Sequence, residues 1–240
     1  MGNANWSAVA SSLDGSKLVA TVKPGQIFTS SNFGQNWGVQ ALSPSLNWSS
    51  VASSADGQKL VATVQGGMIY TSTDAGAHWA PHESNQNWVS VASSSDGTRL
   101  VAAVNNGQLY VSANSGTNWT ATSAPSATAW SSVASSADGA LLAAVVNLGS
   151  LFVSTDSGLT WTPRVSLPSS LGWTTVASSA DASTLAVAGN STRIYVSSQA
   201  TTTPGAAGYL SGARLSAVEV VHCGGGVFMP ITSFGTVRAH

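Results

Sequence analysis

The stretch Ser154-Thr155-Asp156-Ser157-Gly158-Leu159-Thr160-Trp161 puts hydroxyls, a carboxylate, a glycine and an indole within eight residues. A hydroxyl beside a carboxylate could serve acid–base or nucleophilic catalysis, and clustered oxygens on a turn could hold a hard cation. A third use is purely conformational: the carboxylate accepts hydrogen bonds from turn amides, and the glycine supplies positive φ. The segment has three relatives in the chain: Ser72-Thr73-Asp74-Ala75-Gly76-Ala77-His78-Trp79, Ser112 to Trp119 and Ser30 to Trp37. The last two carry Asn114 and Asn32 in place of the acid. An amide oxygen accepts the same turn bonds but is no base, so half the copies would be dead as catalysts. The conformational reading wins.

The remaining acids sort the same way. Asp14, Asp56, Asp96, Asp138 and Asp181 recur in Ser-x-Asp-Gly or Ser-x-Asp-Ala turns, which leaves Glu83 and Glu219 outside any turn or box. Glycoside hydrolysis needs two convergent carboxyl groups roughly 5–9.5 Å apart. Cys223 is the single cysteine, so no internal disulfide and no cysteine-based zinc site is available. No metal and no cofactor is expected.

These turns belong to a long repeat. Segments of the form Trp-Ser-Ser-Val-Ala-Ser-Ser-Ala-Asp-Gly begin at Trp6, Trp48, Trp88, Trp130 and Trp173, spaced 42, 40, 42 and 43 residues apart. A degenerate sixth copy begins at Leu215, with Val218 in the place of Val51, and runs to His240. Within a copy, short β-branched and apolar runs alternate with Gly, Asn and Asp turns, and no window shows a helical period. In the second copy, strand a spans 48–53, b 59–64 and c 68–72, and d begins near His78-Trp79. Four antiparallel strands every ~40 residues predict a propeller blade. The expectation is therefore an all-β, six-bladed β-propeller of four-stranded antiparallel blades in one domain, 1–240. The last blade is degenerate and lacks an obvious strand d, while Gly208–Ser211 is the candidate strand d of the fifth.

From the first copy to the fifth, the chain resembles the Asp-box, or sialidase-like repeat, superfamily of propellers. Ser72, Asp74, Gly76 and Trp79, with Ser154, Asp156, Gly158 and Trp161, carry the resemblance in its fullest form. It implies a structural box at the c–d hairpin. The superfamily includes sialidases, other glycosidases, assembly factors and lectin-like proteins, so the resemblance leaves function open. The sialidases' arginine triad and catalytic carboxylates find no counterparts here. Arg99 stands where Lys17 and Lys59 stand in other copies and reads as a solvated turn residue.

Strand order puts a–b turns and boxes at one end of the propeller, b–c turns and d–a linkers at the other. The first end repeats; the second does not, so a ligand site is expected there. Residues departing from the repeat are its candidates: His82, Glu83, Arg164, Arg193, Arg214 and Glu219, the last where other copies have Ala10, Ala52 or Ala92.

Charged residues are 7% of the chain against about 25% in ordinary soluble domains, and the net charge is −1. No basic face is available for nucleic acid, and no apolar run suits membrane insertion. A surface of Ser, Thr, Asn, Gln and Trp favours a non-catalytic binding propeller with a glycan ligand, secreted or at the cell surface. A protein partner on a scaffold, or an enzyme around Glu219, is the alternative.

Overall fold

The repeat's a–b turn shows how the sequence builds a sheet. Ser12 donates its hydroxyl to Asp14 Oδ1 at 2.6 Å and accepts the Lys17 amide at 3.0 Å, while Gly15 sits at φ 74°. This turn pairs β1 (Trp6–Ser11) with β2 (Leu18–Val22), and β3 (Ile27–Ser30) and β4 (Gly38–Val39) complete a four-stranded antiparallel meander. The computed structural model describes residues 4–40, 44–164, 171–190, 193–198, 210–211, 218–222, 228–232 and 238–239.

The meander recurs. In the second sheet β5 (Trp48–Ser53) pairs with the start of β6 (Leu60–Ser72), whose end pairs with the start of β7 (Ala80–Ser93). The third runs from the end of β7 through β8 (Leu100–Gly107) and β9 (Leu109–Ser112) to β10 (Thr120–Ala121). The fourth comprises β11 (Thr128–Ser135), β12 (Leu142–Val146), β13 (Leu151–Ser154) and β14 (Thr162–Arg164). Pairs such as Gln65↔Asn87 and Ala129↔Asn105 carry the ladder from one of these sheets to the next.

Every strand a carries a bulge just after its tryptophan, as between Trp48 and Ser50. Simple alternation would send Trp48 and Val51 to opposite faces; the extra residue brings both onto the face toward the preceding sheet. There each Trp meets the strand-c aromatic of its own sheet edge-on. Trp6–Phe28, Trp48–Tyr70, Trp88–Tyr110, Trp130–Phe152 and Trp173–Tyr195 all have centroids 5.1–5.3 Å apart. The core therefore lies between sheets. Trp48, Val51, Leu60 and Ala62 pack on Val19 and Ile27 of the first sheet, and the same set recurs at three further junctions.

Hydrogen bonds also stitch the junctions. The amides of Leu13, Ala55, Ser95 and Ala137 each donate to the carbonyl of the equivalent residue one sheet on, ending at Ala180, at 2.7–2.9 Å. Val91, Val133 and Val176 amides donate to Ser50, Ser90 and Ser132 hydroxyls of the preceding sheet.

The C-terminal part departs from the sequence reading. The fifth sheet holds β15 (Trp173–Ser178), β16 (Thr184–Gly189) and β17 (Tyr195–Ser198). Its fourth place is not taken by β18 (Leu210–Ser211), which pairs with β21 (Arg238–Ala239) instead. β19 (Val218–His222) takes it, parallel to β17, and β20 (Phe228–Thr232) adds the edge. The run Val218-Glu219-Val220-Val221 is β-branched at both parities, which suits a strand between two neighbours. Glu219 thus stands opposite Val196 and Ile231 on the outer side of the fifth sheet, not on an innermost strand. The described sheets form an open array rather than a closed six-bladed ring.

Candidate functional site

Two ends of the array can be compared residue by residue. At the first end, box and a–b turn are tied within each sheet: the amides of Phe33, Ala75, Ser115 and Ser157 donate to Ser16, Gln58, Thr98 and Ala140 carbonyls. The box closes on itself. Ser154 Oγ accepts the Gly158 amide at 2.8 Å and donates to Asp156 Oδ1 at 2.7 Å, which also accepts the Thr160 amide at 2.9 Å. Ser72, Asp74, Gly76 and His78 repeat this arrangement. So do Ser112, Asn114, Gly116 and Asn118, with the amide oxygen in the carboxylate's place.

The second carboxylate oxygen explains the residue seven places into each box. Asp156 Oδ2 accepts from Thr160 Oγ1 at 2.6 Å and Asp74 Oδ2 meets His78 Nδ1 at 2.6 Å, whereas the Asn boxes have Asn36 and Asn118 there. These bonds, led by the Thr160 hydroxyl for Asp156 and the His78 amide for Asp74, hold both carboxyls down at about 2. An acid so committed to its ionised form is a poor proton donor near neutrality. Trp161 and Trp119 donate Nε1 to the Gly158 and Gly116 carbonyls.

Lys17, Lys59 and Arg99 are not idle solvated residues. Their head groups donate to the Asp56, Asp96 and Asp138 carbonyls of the next sheet, and Arg99 also reaches Ser157 Oγ at 3.0 Å. A sequence reading missed this because the partner lies about a repeat away, beyond any local motif. Two grooves open beside these cations. One, of about 480 Å³, includes Lys17, Asn32, Asn36 and Trp37; the other, of about 580 Å³, includes Arg99, Asn114, Asn118 and Leu159.

The other end carries the variable linkers. His82 lies in β7 opposite Ile69, and its Nε2 is 2.8 Å from Thr71 Oγ1. Burial lowers its pKa, against the raising effect of the neighbouring Glu83 carboxylate. Glu83 itself sits at φ 62°. Arg164 ends β14 opposite Leu151, and Arg193 is exposed ahead of β17. Arg214 lies outside the described residues, as does Cys223. The structure sets these candidates on different sheets: His82 and Glu83 on the second, Arg164 on the fourth, Arg193 and Glu219 on the fifth. Among the described residues no group of three or more His, Cys, Asp or Glu side chains is placed to hold a metal ion.

A different set does converge there. A cavity of about 430 Å³ opens between the first and second sheets, lined by Pro24, Asn47, Gln65, Met68, Tyr70 and Asn85 among others. Asn47, Gln65, Met68 and Asn85 are exposed, and Lys23 Nζ hydrogen-bonds Gln65 Oε1 at its rim. Nearby, Gln86 donates to the Tyr110 hydroxyl at 2.9 Å. No charged pair faces into this groove among the described residues. Its donors and acceptors are neutral amides beside an aromatic ring and a thioether. Sequence reasoning sought charged exceptions to the repeat and so passed over these amides.

With the fold and both ends in view, the chain has an all-β, propeller-like fold and is similar to proteins built on the Asp-box repeat. A model of the BNR-Asp box repeat matches residues 27–41, which hold β3, the first box and the start of the first d–a linker. Among solved structures, a GH74 enzyme of Niastella koreensis superposes with a TM-score of 0.64 at 21% identity over 80% of this chain. This chain spans only 30% of that one. YCF48 bound to D1 peptide aligns with a TM-score of 0.61 at 17% identity, over 81% of this chain and 65% of that one. A chain of a nidogen/laminin complex gives 0.65 at 13% identity, over 81% and 76%. These likenesses concern the fold. No curated protein sequence matches the chain.

Proposed function

We propose that this chain is a non-catalytic binding propeller whose ligand is a neutral carbohydrate, taken at the variable end. One observation carries the reading: the groove between the first and second sheets gathers Asn47, Gln65 and Asn85 amides around Met68 and Tyr70. Sugar hydroxyls need such paired donors and acceptors, and a pyranose face packs on apolar and aromatic atoms. His82 and Glu83, on the strand that follows, line the approach in this reading, with Arg164 and Arg193 on later sheets serving a larger ligand.

A second reading has an extended peptide or protein in the same place. It is favoured by the likeness to propellers solved with peptide or protein partners, YCF48 with D1 peptide and nidogen with laminin. Exposed backbone and amides serve a peptide as well as a glycan. An enzyme is the weakest reading, because Glu83 and Glu219 stand on the second and fifth sheets.

A glycan array probed with the wild-type chain and with Gln65→Ala and Asn85→Ala variants tests the proposal. Binding by the wild type that falls at least tenfold in both variants supports it. A blank array, with retention on a peptide library instead, establishes the protein-partner reading.

A further inference from the structure

The first and fifth sheets carry the two halves of one junction, left apart. At the internal junctions Trp48, Trp88, Trp130 and Trp173 are 0% exposed, and Val51, Val91, Val133 and Val176 are 5–6% exposed. The same places on the first sheet hold Trp6 at 43% and Val9 at 68%. On the opposite face, Ile27, Ile69, Leu109 and Leu151 are buried under the following sheet at 0–1%, whereas Ile194 of the fifth repeat is 58% exposed.

The polar stitching is split in the same way. In the chain of backbone bonds from Leu13 to Ala180, the Leu13 carbonyl receives no amide and the Ala180 amide reaches no carbonyl among the described residues. Thr175 supplies, exposed, a hydroxyl where Ser50, Ser90 and Ser132 receive the valine amide of the next sheet. β19 and β20 extend the fifth sheet beyond β17, along its edge, and leave Thr175 and Ala177 of β15 exposed.

The first sheet also departs from the internal copies. Leu13 stands where the others have Ala55, Ser95, Ala137 and Ala180, and Phe33 where they have Ala75, Ser115 and Ser157. Both are exposed, and both enlarge an apolar face that already holds Trp6 and Val9. Exposed apolar residues gathered on one sheet in this way mark a contact surface.

We infer that this face docks the exposed face of the fifth sheet of a second copy of the chain, head to tail. The occupant follows from complementarity: the missing half-junction, with its apolar residues, hydroxyl and free amide, exists on the chain itself but at the far end of the array. A net charge of −1 sets no appreciable repulsion between copies. The contact is heterologous, so it leaves one half-junction open on each partner and builds a ring or an open series.

The experiment is sedimentation of the full chain over a concentration series, with Val9→Asp and Ile194→Asp variants. The wild type is expected to show masses of two or more chains that grow with concentration. Each variant alone stays at one chain. An equimolar mixture forms a pair and stops there, because each variant keeps the half the other has lost. Leu13→Asp and Thr175→Arg serve as a second pair should either first variant fail to fold, which circular dichroism reports. A wild type at one chain mass throughout, or a mixture of folded variants that does not pair, overturns the inference.

Discussion

Lys17 lays its aliphatic stem over Gly57 of the next sheet, so close that a Cβ built on Gly57 would stand 2.8 Å from Lys17 Cβ. Lys59 over Gly97 and Arg99 over Gly139 repeat the relationship. Where the fourth sheet has Leu141 in the cation's place, the fifth turn has Ala182 at φ 62° packed on the same cluster. Gly57→Ala is therefore expected to destabilise the fold by about 1–3 kcal/mol, from positive-φ strain and the clash together. A Lys17→Leu/Gly57→Ala double variant, which copies the Leu141–Ala182 junction, should recover part of that loss. Denaturant midpoints of the two variants decide the matter; equal midpoints would mean strain alone acts.

The buried indoles differ in one respect. Trp48 Nε1 donates to the Gly25 carbonyl at 3.0 Å, but Trp130 Nε1 is buried without a partner among the described residues. Replacing either with Phe removes comparable packing. Trp48→Phe also loses the indole's bond to the Gly25 carbonyl, which keeps the Leu46 amide at 2.9 Å, whereas Trp130→Phe removes an unpaired donor. Trp48→Phe should cost roughly 1 kcal/mol more than Trp130→Phe. Equal unfolding free energies for the two variants would refute the distinction.

Much of the fold was legible because each sheet sits in one repeat and its turns carry their own chemistry. The Ser12–Asp14–Gly15 turn and the Ser154–Asp156–Gly158 box can be read locally, since every bond closes within five residues. Contacts between copies were hidden. Nothing in the sequence of one copy says that Lys59 crosses to Asp96, or that a bulge re-aims Trp48. The last copy was the least legible: once its Trp and Asp-Gly signals are gone, a Val-rich run such as Val218–Val221 fits an outer strand as well as an inner one. The candidate groove escaped for a compositional reason, since amides such as Asn47 and Gln65 are unexceptional in a chain so poor in charge.

Acid should loosen the structure in a defined window. Hydrogen bonds from Ser12 to Asp14, from the His78 amide to Asp74, from Ser94 to Asp96, from Thr160 to Asp156 and from Ser179 to Asp181 lower those carboxyls from 3.8 to about 2. The unfolded chain then binds more protons than the folded one between those values. The stabilisation is complete above about pH 4 and is lost as the pH falls toward 2. The His82 pKa is lowered from 6.5 by burial, so its contribution is likewise full above 6.5 and declines below. Thermal melts from pH 7 to 2 should show a shallow decline setting in below pH 6.5 and a steep fall below 4. An Asp74→Asn/Asp156→Asn variant should still fold at pH 7, as the natural Asn32 and Asn114 boxes imply, with a modestly lower melting point from the lost Oδ2 bonds to His78 and Thr160, and should lose part of the acid slope. An unchanged slope would remove the boxes from the account.

Among the described residues, the first internal junction lacks one bond that the next three possess. Val91, Val133 and Val176 give their amides to Ser50, Ser90 and Ser132, at 3.1–3.2 Å, but the residue facing Val51 is Ala8. Ala8 follows the same bulge and packs in the same cluster, so a hydroxyl added there has the geometry its three counterparts use. Ala8→Ser should then stabilise the fold by about 0.5–1.5 kcal/mol, the usual net worth of an intramolecular hydrogen bond. Ser90→Ala, which strands the Val133 amide in a buried place, should cost about 1–3 kcal/mol. The two changes are opposite in sign at equivalent positions. Hydrogen exchange at Val51 supplies an independent check: its amide should slow in Ala8→Ser, and an unprotected amide in a folded variant would show that the hydroxyl does not reach across.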